Sequence, residues 1–236
     1  MKENILGVDI CTFDMDQAVS EAKNIIEKEV PSFVVAINPE KIMKAIKDNS
    51  LKELLNTATL QIPDGVGILI ASKIKGGRVK NRVTGIDLMM NLCSMASDNG
   101  YRIYLLGAAP GTAESAAKIL KSTYPKLIIS GTHDGYFDNN EEKVIEEISK
   151  TNCHILFVAM GSPKQEYWIK SNMSRLNVPL LMGVGGSYDV ICGNIKRAPL
   201  WMQKTGTEWL YRLISEPWRI KRMMVLPRFL LKVLKS

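Results

Sequence analysis

The feature that most constrains this chain is a repeated alternation of short apolar strands, glycine-containing turns and amphipathic helices. Strands are predicted at 5–10, 32–37, 60–62, 102–106, 127–130, 155–159 and 178–184. Helices are predicted at 41–48, 51–56, 65–74, 84–99, 112–123 and 141–150. This alternation is typical of a Rossmann-like α/β fold, a mostly parallel sheet with helices on both faces.

Polar and glycine residues follow the predicted strands, where parallel strands would bring them to one rim of the sheet. They are Asn38, Asp64, Gly107, Asp134, Gly161 and Gly185. Open α/β sheets bind ligands in the crevice outside the carboxyl ends of their strands. Several polar turns converging on one crevice therefore predict a binding site.

The turn 63–67 carries the carboxylate of Asp64 between Pro63 and Gly65, at the predicted start of a helix, and Gly65 and Gly67 let backbone N–H groups come close to a ligand. Asp64 could act as a catalytic base, or it could cap the helix. Asn38 has the same two possibilities, ligand contact or turn and helix capping. The triplet Asp14-Met15-Asp16 matches a sugar-transferase D-x-D pattern, but acids in the first turn of a helix favour a capping role instead.

The turn 107–111 has the form of a nucleotide-binding connection, because it joins a strand to a helix whose first N–H groups can receive phosphate. It lacks the G-x-G-x-x-G pattern, and no acid follows the next strand at a ribose-binding position. A dinucleotide cofactor, and with it a Rossmann-type oxidoreductase, is therefore disfavoured.

Charge divides the chain into two predicted parts. Residues 196–236 carry ten Lys or Arg against two Glu, which leaves 21 basic and 22 acidic residues in 1–195. The basic part also holds three of the four tryptophans. We predict a catalytic α/β domain over 1–195 and a basic, amphipathic, membrane-associating helical appendage over 196–236. The alternatives are that the segment packs on the body as a final core helix, or that it contacts nucleic acid.

The cysteines and the distribution of apolar residues argue against several classes of protein. Four cysteines lie far apart with no C-x-x-C pair, which argues against a zinc site or a disulfide framework and fits a reducing cytoplasm. The amino terminus does not resemble a signal peptide, and no uncharged stretch reaches the roughly 18–20 residues that a spanning helix needs. We expect a cytoplasmic protein on the inner face of the membrane.

Short motifs in a fixed order carry a resemblance to a known family. They are Asn38-Pro39-Glu40, Pro63-Asp64-Gly65, the stretch 82–87, the turn 107–111, Asp134-Gly135-Tyr136, the stretch 161–166, the stretch 183–186, Arg197-Ala198-Pro199 and the stretch 208–219. With them the chain resembles the WecG/TagA/CpsF glycosyltransferases, and most closely the TagA branch, the N-acetylglucosaminyldiphosphoundecaprenol N-acetyl-β-D-mannosaminyltransferases of wall teichoic acid synthesis. Ala36 departs from the family pattern, because relatives commonly have threonine there.

The resemblance implies an inverting transfer of N-acetylmannosamine from UDP-ManNAc to O4 of the GlcNAc on undecaprenyl diphosphate, forming a ManNAc(β1-4)GlcNAc unit. It implies no cofactor, no metal and no nucleic-acid partner, and the apolar tail suggests a homo-oligomer. Another UDP-sugar donor, ManNAcA or a hexose, is the alternative, as is a non-catalytic nucleotide-binding or nucleic-acid-binding protein.

The resemblance also assigns roles to residues. Asp64, Arg82 and Asn38 are the predicted catalytic residues. The predicted nucleotide-sugar contacts are Gly107, Ala108, Gly111, Asp134, Gly161, Gln165, Glu166 and Gly185. Arg212, Arg219 and Arg222 of the tail are predicted to hold the acceptor diphosphate or the leaving group.

Overall fold

The computed structural model describes residues 1–137, 140–215 and 224–236, without the side chains of Lys204 and Arg212. The chain begins with an antiparallel hairpin of β1 (Lys2–Ile5) and β2 (Val8–Cys11), so the prediction of one strand over 5–10 was wrong. Leu6 and Gly7 form the turn with φ of +52° and +88°. Positive φ at both central residues suits a two-residue hairpin turn, and Leu6 carries no sequence signal for one.

A sheet of six parallel strands forms the centre of the protein. In chain order its strands are β3 (Ser32–Ile37), β4 (Leu60–Pro63), β5 (Arg102–Gly107), β6 (Ile128–His133), β7 (Ile155–Ala159) and β8 (Leu180–Gly183). Their order across the sheet is β4-β3-β8-β7-β5-β6, and every neighbouring pair is parallel. The predicted parallel α/β sheet is therefore confirmed, and the carboxyl ends of its strands share one rim.

Helices cover both faces of this sheet, as predicted. In chain order the helices are α1 (Met15–Glu27), α2 (Pro39–Ala45), α3 (Asn49–Thr57), α4 (Val66–Ile74), α5 (Gly85–Asn99), α6 (Thr112–Thr123), α7 (Glu141–Lys150), α8 (Lys164–Leu176), α9 (Ser187–Ile191), α10 (Leu200–Lys204), α11 (Glu208–Ser215) and α12 (Val225–Leu234). The core beneath one face includes apolar side chains of α2, α3, α4, α7, α8 and α12. The core beneath the other includes those of α1, α5, α6 and α9.

The strands supply both cores because successive side chains point to opposite faces of a sheet. In β3, Phe33 and Val35 belong to the first core, and Val34 and Ala36 to the second. All six residues of β3 are buried. Strands covered on both faces read as continuous apolar runs, which is why the sequence indicated them clearly.

The D-x-D triplet lies at the start of α1 and not at the cavity described below. Asp14 is the N-cap: its carboxylate accepts a hydrogen bond from the Gln17 N–H at 2.9 Å, and the Gln17 side chain accepts one from the Asp14 N–H at 3.1 Å. Such a reciprocal capping box satisfies two helix N–H groups at once. The predicted capping role is therefore confirmed.

The last helix packs on the body of the protein. Phe229 and Val233 of α12 are 0% and 3% exposed, within the core that also contains α2 and α4. This part of 196–236 thus behaves as the final core helix that we considered as an alternative. No helix among the described residues is long and apolar enough to cross a membrane. The sequence also predicts two tail helices, over 207–215 and 218–226, broken at Pro217; most of the second lies outside the described residues.

Candidate active site

A cavity of about 500 Å³ lies at the carboxyl ends of β4, β3, β8 and β7. Four predicted rim residues line it: Asn38, Asp64, Gly161 and Gly185. Arg82 and Gln165 line it as well. The C-terminal segment contributes to the wall through Gly206, Glu208, Trp209, Val225 and Leu226. The cavity is therefore formed by the body and the C-terminal segment together.

Asp64 is held at the cavity by backbone contacts on both sides of its turn. Its N–H donates to the Ile37 carbonyl at 2.8 Å, and the Pro63 carbonyl accepts from the Val83 N–H at 2.9 Å. Gly65, with φ of +94°, occupies the N-cap of α4, so Asp64 precedes the capping position. Its side chain is partly exposed at the cavity wall. The turn thus fixes the backbone of Asp64 at the wall of the cavity.

Asn38 has the predicted capping role, and its ligand contact stays a prediction. Its side-chain oxygen accepts a hydrogen bond from the Lys41 N–H at 2.9 Å and so caps α2. The same residue lines the cavity. Because the oxygen is used by the cap, the amide nitrogen is the group with which Asn38 can meet a ligand.

Lys41 is the main site residue that the sequence did not reveal. Its ammonium lies 2.7 Å from a carboxylate oxygen of Glu166 and donates to the Ala36 carbonyl at 2.8 Å. The two side chains are 7% and 1% exposed. A lysine on a short helix is usually solvated, so no local signal could have indicated this buried pair.

Glu166 and Gln165 differ in their relation to the cavity. Gln165 lines the wall, whereas Glu166 lies behind it. The Gln165 amide nitrogen donates to Glu166 Oε1 at 3.1 Å, and the Gln165 side-chain oxygen accepts from the Gly185 N–H at 3.0 Å. The position of Gln165 agrees with the predicted substrate contact, whereas Glu166 is not among the residues that line the cavity.

A chain of alternating charges joins Arg82 to the C-terminal segment. Arg82 lies 3.1 Å from one carboxylate oxygen of Glu208, and Arg197 Nε lies 3.6 Å from the other. Arg197 also donates two hydrogen bonds to Asp87, at 2.6 and 2.8 Å. Thr84 donates a third to the same carboxylate at 2.5 Å. These contacts attach the segment that follows residue 195 to α5 and to the loop after α4.

The charge chain changes the titration of Asp87. Burial alone would raise the pKa of this carboxyl, but the hydrogen bonds from Arg197 and Thr84 outweigh burial and hold the pKa below its usual value. The same pairing raises the pKa of Arg197, chiefly through its hydrogen bonds to Asp87. The pair is therefore fully charged at neutral pH.

The glycine turn after β5 lies on the same rim but outside the cavity wall. Gly107 has φ of +112°, and a Cβ there would meet the Ala159 carbonyl oxygen at 2.5 Å. The Ala108 N–H already donates to that carbonyl at 2.7 Å, and the Ala108 carbonyl accepts from the Gly135 N–H at 2.9 Å. The turn thus connects β5 to β7 and to the loop after β6. Part of its backbone is used in holding the sheet together.

Several predicted contacts are not brought to the cavity. Gly107, Ala108, Gly111 and Asp134 follow β5 and β6, beyond the cavity wall. Gly111, with φ of +81°, is the N-cap of α6 and offers no capping side chain, so N–H groups at this helix start remain suited to an anion. Arg219, Arg222 and the Arg212 side chain lie outside the described part of the structure. The binding roles of all these residues stay predictions.

No group of three or more His, Cys, Asp or Glu among the described residues is arranged to hold a metal ion. The four cysteines are free thiols. Burial raises the pKa of Cys93 to about 12 and that of Cys153 to about 11. Neither thiol is therefore a nucleophile at neutral pH.

The parallel sheet and a cavity that holds a carboxylate at its strand ends define an α/β protein with a small-molecule site. The full sequence extends this to a family: residues 3–236 match the glycosyl transferase WecG/TagA/CpsF family. The chain belongs to this family, which confirms the resemblance seen in its motifs.

Two relatives show how far the likeness reaches. The chain is 36% identical to the N-acetylglucosaminyldiphosphoundecaprenol N-acetyl-beta-D-mannosaminyltransferase of Bacillus subtilis (strain 168), over 91% of this chain and 83% of the relative. It is 35% identical to the protein of the same name from Staphylococcus aureus (strain MW2), over 100% of this chain and 93% of the relative. The similarity includes the C-terminal segment as well as the body.

Proposed function

We propose that this protein transfers N-acetylmannosamine from UDP-ManNAc to O4 of the GlcNAc on undecaprenyl diphosphate. The product would be the ManNAc(β1-4)GlcNAc linkage unit of wall teichoic acid. The observation that carries the proposal is a carboxylate, Asp64, in the wall of a cavity in a chain that is 35% identical over its whole length to a mannosaminyltransferase.

Asp64 is proposed as the general base of a single inverting displacement. Its carboxylate accepts the proton of the acceptor O4 hydroxyl while that oxygen forms a bond to the anomeric carbon of the donor sugar. The bond between the anomeric carbon and the UDP oxygen breaks at the same time, and UDP leaves with the electron pair. A positioned base of this kind contributes about 10²- to 10⁴-fold to a rate. The backbone contacts on both sides of Asp64 support the role, because they fix the turn that carries it.

The departing diphosphate needs positive charge, and the cations of the described cavity wall are already paired with carboxylates. Its three cations each lie beside a carboxylate, Lys41 beside Glu166 at 2.7 Å, Lys44 beside Glu40 at 2.9 Å and Arg82 beside Glu208 at 3.1 Å. Backbone N–H groups at the start of α8 supply partial charge. We assign the remaining charge to Arg212, Arg219 and Arg222, which would approach the cavity from the C-terminal segment.

Arginine charge and backbone N–H groups would make transfer independent of a metal ion. The acceptor is a lipid, so the enzyme would act on the inner face of the cell membrane. The basic segment and its exposed apolar side chains support this location, since each Lys or Arg near an anionic leaflet adds about 1 kcal/mol of attraction.

A product assay tests the proposed function directly. The purified chain is incubated with a short-chain GlcNAc-diphosphate lipid and, in separate reactions, UDP-ManNAc, UDP-ManNAcA and UDP-hexoses, each with and without EDTA. We expect a disaccharide lipid from UDP-ManNAc alone, with β stereochemistry by NMR and an undiminished rate in EDTA. A product from another donor would replace the assigned sugar, and no product from any donor would reject the transferase proposal.

A further inference from the structure

We propose that Lys41 and Glu166 form a positioning pair that orients Gln165 toward the nucleotide-sugar donor. This inference rests on the proposed function and names two residues that act on the donor through a third. The pair joins α2 to α8 at the edge of the cavity: Lys41 lines the wall and Glu166 lies behind it, with the ammonium and the carboxylate 2.7 Å apart and almost fully buried.

The orientation of the Gln165 amide is determined at both of its ends. The nitrogen donates to Glu166 Oε1, and the oxygen accepts from the Gly185 N–H. Rotating the amide by half a turn would place its oxygen against the Glu166 carboxylate and its nitrogen against an N–H group, so that both hydrogen bonds would be lost. Glu166 therefore selects one of the two amide orientations.

The selected orientation leaves one donor for a ligand. The amide nitrogen carries two hydrogens, and Glu166 accepts only one of them. Gln165 lines the cavity, where its remaining N–H can meet an oxygen of the bound donor. Gly183 makes room for this arrangement, because a Cβ there would lie 2.5 Å from the Gln165 amide nitrogen.

Stability alone does not account for the pair. Burying two charges costs desolvation free energy, and apolar residues of similar size often replace a buried ion pair with no loss of stability. Glu166 Oε2 is also buried with no hydrogen-bond partner among the described residues, which adds a further cost. Glu166 Oε1 is hydrogen-bonded to Gln165, a residue of the cavity wall. The pair is therefore better explained by its effect on Gln165.

The test removes both charges together, because a single substitution would leave the other charge buried and could unfold the protein. The double variant Lys41→Met/Glu166→Leu should remain folded by circular dichroism and thermal unfolding. We expect its kcat/KM for the UDP-sugar to fall about 10- to 100-fold, with the loss mainly in the donor step and a nearly unchanged KM for the lipid acceptor. A folded double variant with full activity would overturn the proposal.

A conservative variant separates the hydrogen bond from the charges. Lys41→Met/Glu166→Gln removes both charges but keeps a side-chain oxygen that can accept from Gln165, so it should recover at least half of the lost activity on a logarithmic scale. A variant no better than Lys41→Met/Glu166→Leu would contradict a role through Gln165. The matched control is Lys150→Met/Glu146→Gln, an exposed pair on α7, which should leave both kcat and KM unchanged.

The last experiment measures whether the Lys41–Glu166 pair acts through Gln165. Gln165→Ala should lower kcat/KM for the donor in the wild-type protein and have little further effect in the Lys41→Met/Glu166→Leu background. Equal losses in both backgrounds would show that the pair does not act through Gln165. Titration calorimetry with the UDP-sugar repeats this comparison by measuring binding without turnover. If the wild type binds the donor but transfers no sugar, the proposed function is rejected, and the calorimetry still tests this inference.

Discussion

The body of the protein and its C-terminal segment, residues 196–236, bury their apolar side chains to different extents. Five of the six sheet strands are almost wholly buried, and only the edge strand β6 is partly exposed. The segment is anchored through Phe229, Val233 and the charge chain at Arg197 and Glu208. Of the sixteen large apolar side chains described as exposed, half belong to this segment: Leu200, Trp201, Trp209, Leu210, Ile214, Met224, Leu231 and Leu234. The segment is thus attached to the body and still presents an apolar surface, which is the feature on which the proposed membrane contact rests.

The comparison divides the proposed chemistry as well. In the proposal, the body supplies the base and the segment supplies the charge for the departing diphosphate. The described part of the segment also forms a wall of the cavity, so the body and the segment share one candidate site. The boundary at residue 195 therefore stays a prediction.

The largest effect is expected at Asp64. Asp64→Asn keeps the size of the side chain and removes the base, so kcat should fall about 10²- to 10⁴-fold. Thermal unfolding should be nearly unchanged, because the turn is held by backbone hydrogen bonds. If this variant transfers sugar at a rate near that of the wild type, Asp64 is not the general base.

A loss of similar size is expected when the segment loses its proposed charge. Alanine at Arg212, Arg219 and Arg222 together should abolish measurable turnover with little loss of folding, because the substitutions leave the anchoring contacts of Arg82, Arg197 and Glu208 in place. The triple variant is compared with Arg228→Ala, an exposed arginine of α12. Full activity of the triple variant would assign the leaving-group charge to the body instead.

Phe229→Ala tests how firmly the segment belongs to the body. Truncating a fully buried phenylalanine costs about 3–5 kcal/mol in a core, and Phe229 is 0% exposed. Urea unfolding should therefore show one transition, shifted to lower urea by a free energy of this size. An unchanged main transition would mean that α12 is separable from the body, as the predicted division at residue 195 implies.

The charge chain makes a smaller contribution, with a defined pH dependence. Because the pKa of Asp87 is lowered in the folded protein, its stabilisation is present above the unfolded-state pKa of about 3.9 and is lost as pH falls through the folded-state pKa. The free energy of unfolding of the wild type should exceed that of Asp87→Asn by about 1 kcal/mol at pH 7, an upper-end value for a partly exposed pair. The difference should shrink below pH 4; a constant difference would exclude titration of Asp87 as its cause.

The smallest change in stability is expected on the exposed side of α12. Leu231→Ser/Leu234→Ser should alter the free energy of unfolding by no more than about 0.5 kcal/mol and should reduce co-sedimentation with anionic vesicles. Val30→Ser/Ile128→Ser removes exposed apolar side chains of the body and should leave vesicle binding unchanged. Equal losses in both variants, or binding of the wild type to DNA in preference to vesicles, would contradict the membrane role of the segment.

Local sequence patterns were sufficient to predict the architecture of the sheet and its helices. Apolar runs bounded by turn residues predicted the six parallel strands, and the helices at 112–123 and 141–150 agree with α6 and α7. The rim followed from the parallel sheet, and with it the approach of Asn38, Asp64, Gly161 and Gly185 to one cavity. These features are determined locally, because period, turn residues and strand direction are properties of neighbouring residues.

The tertiary structure determines which residues far apart in the sequence are in contact. It paired Lys41 with Glu166, Arg82 with Glu208 and Arg197 with Asp87, and it placed Phe229 in the core of the body. It also separated the turn at Gly107 from the cavity, although both lie on one rim. The physical reason is that such contacts depend on the order of strands across the sheet and on helix packing, neither of which follows from the local pattern of any one segment.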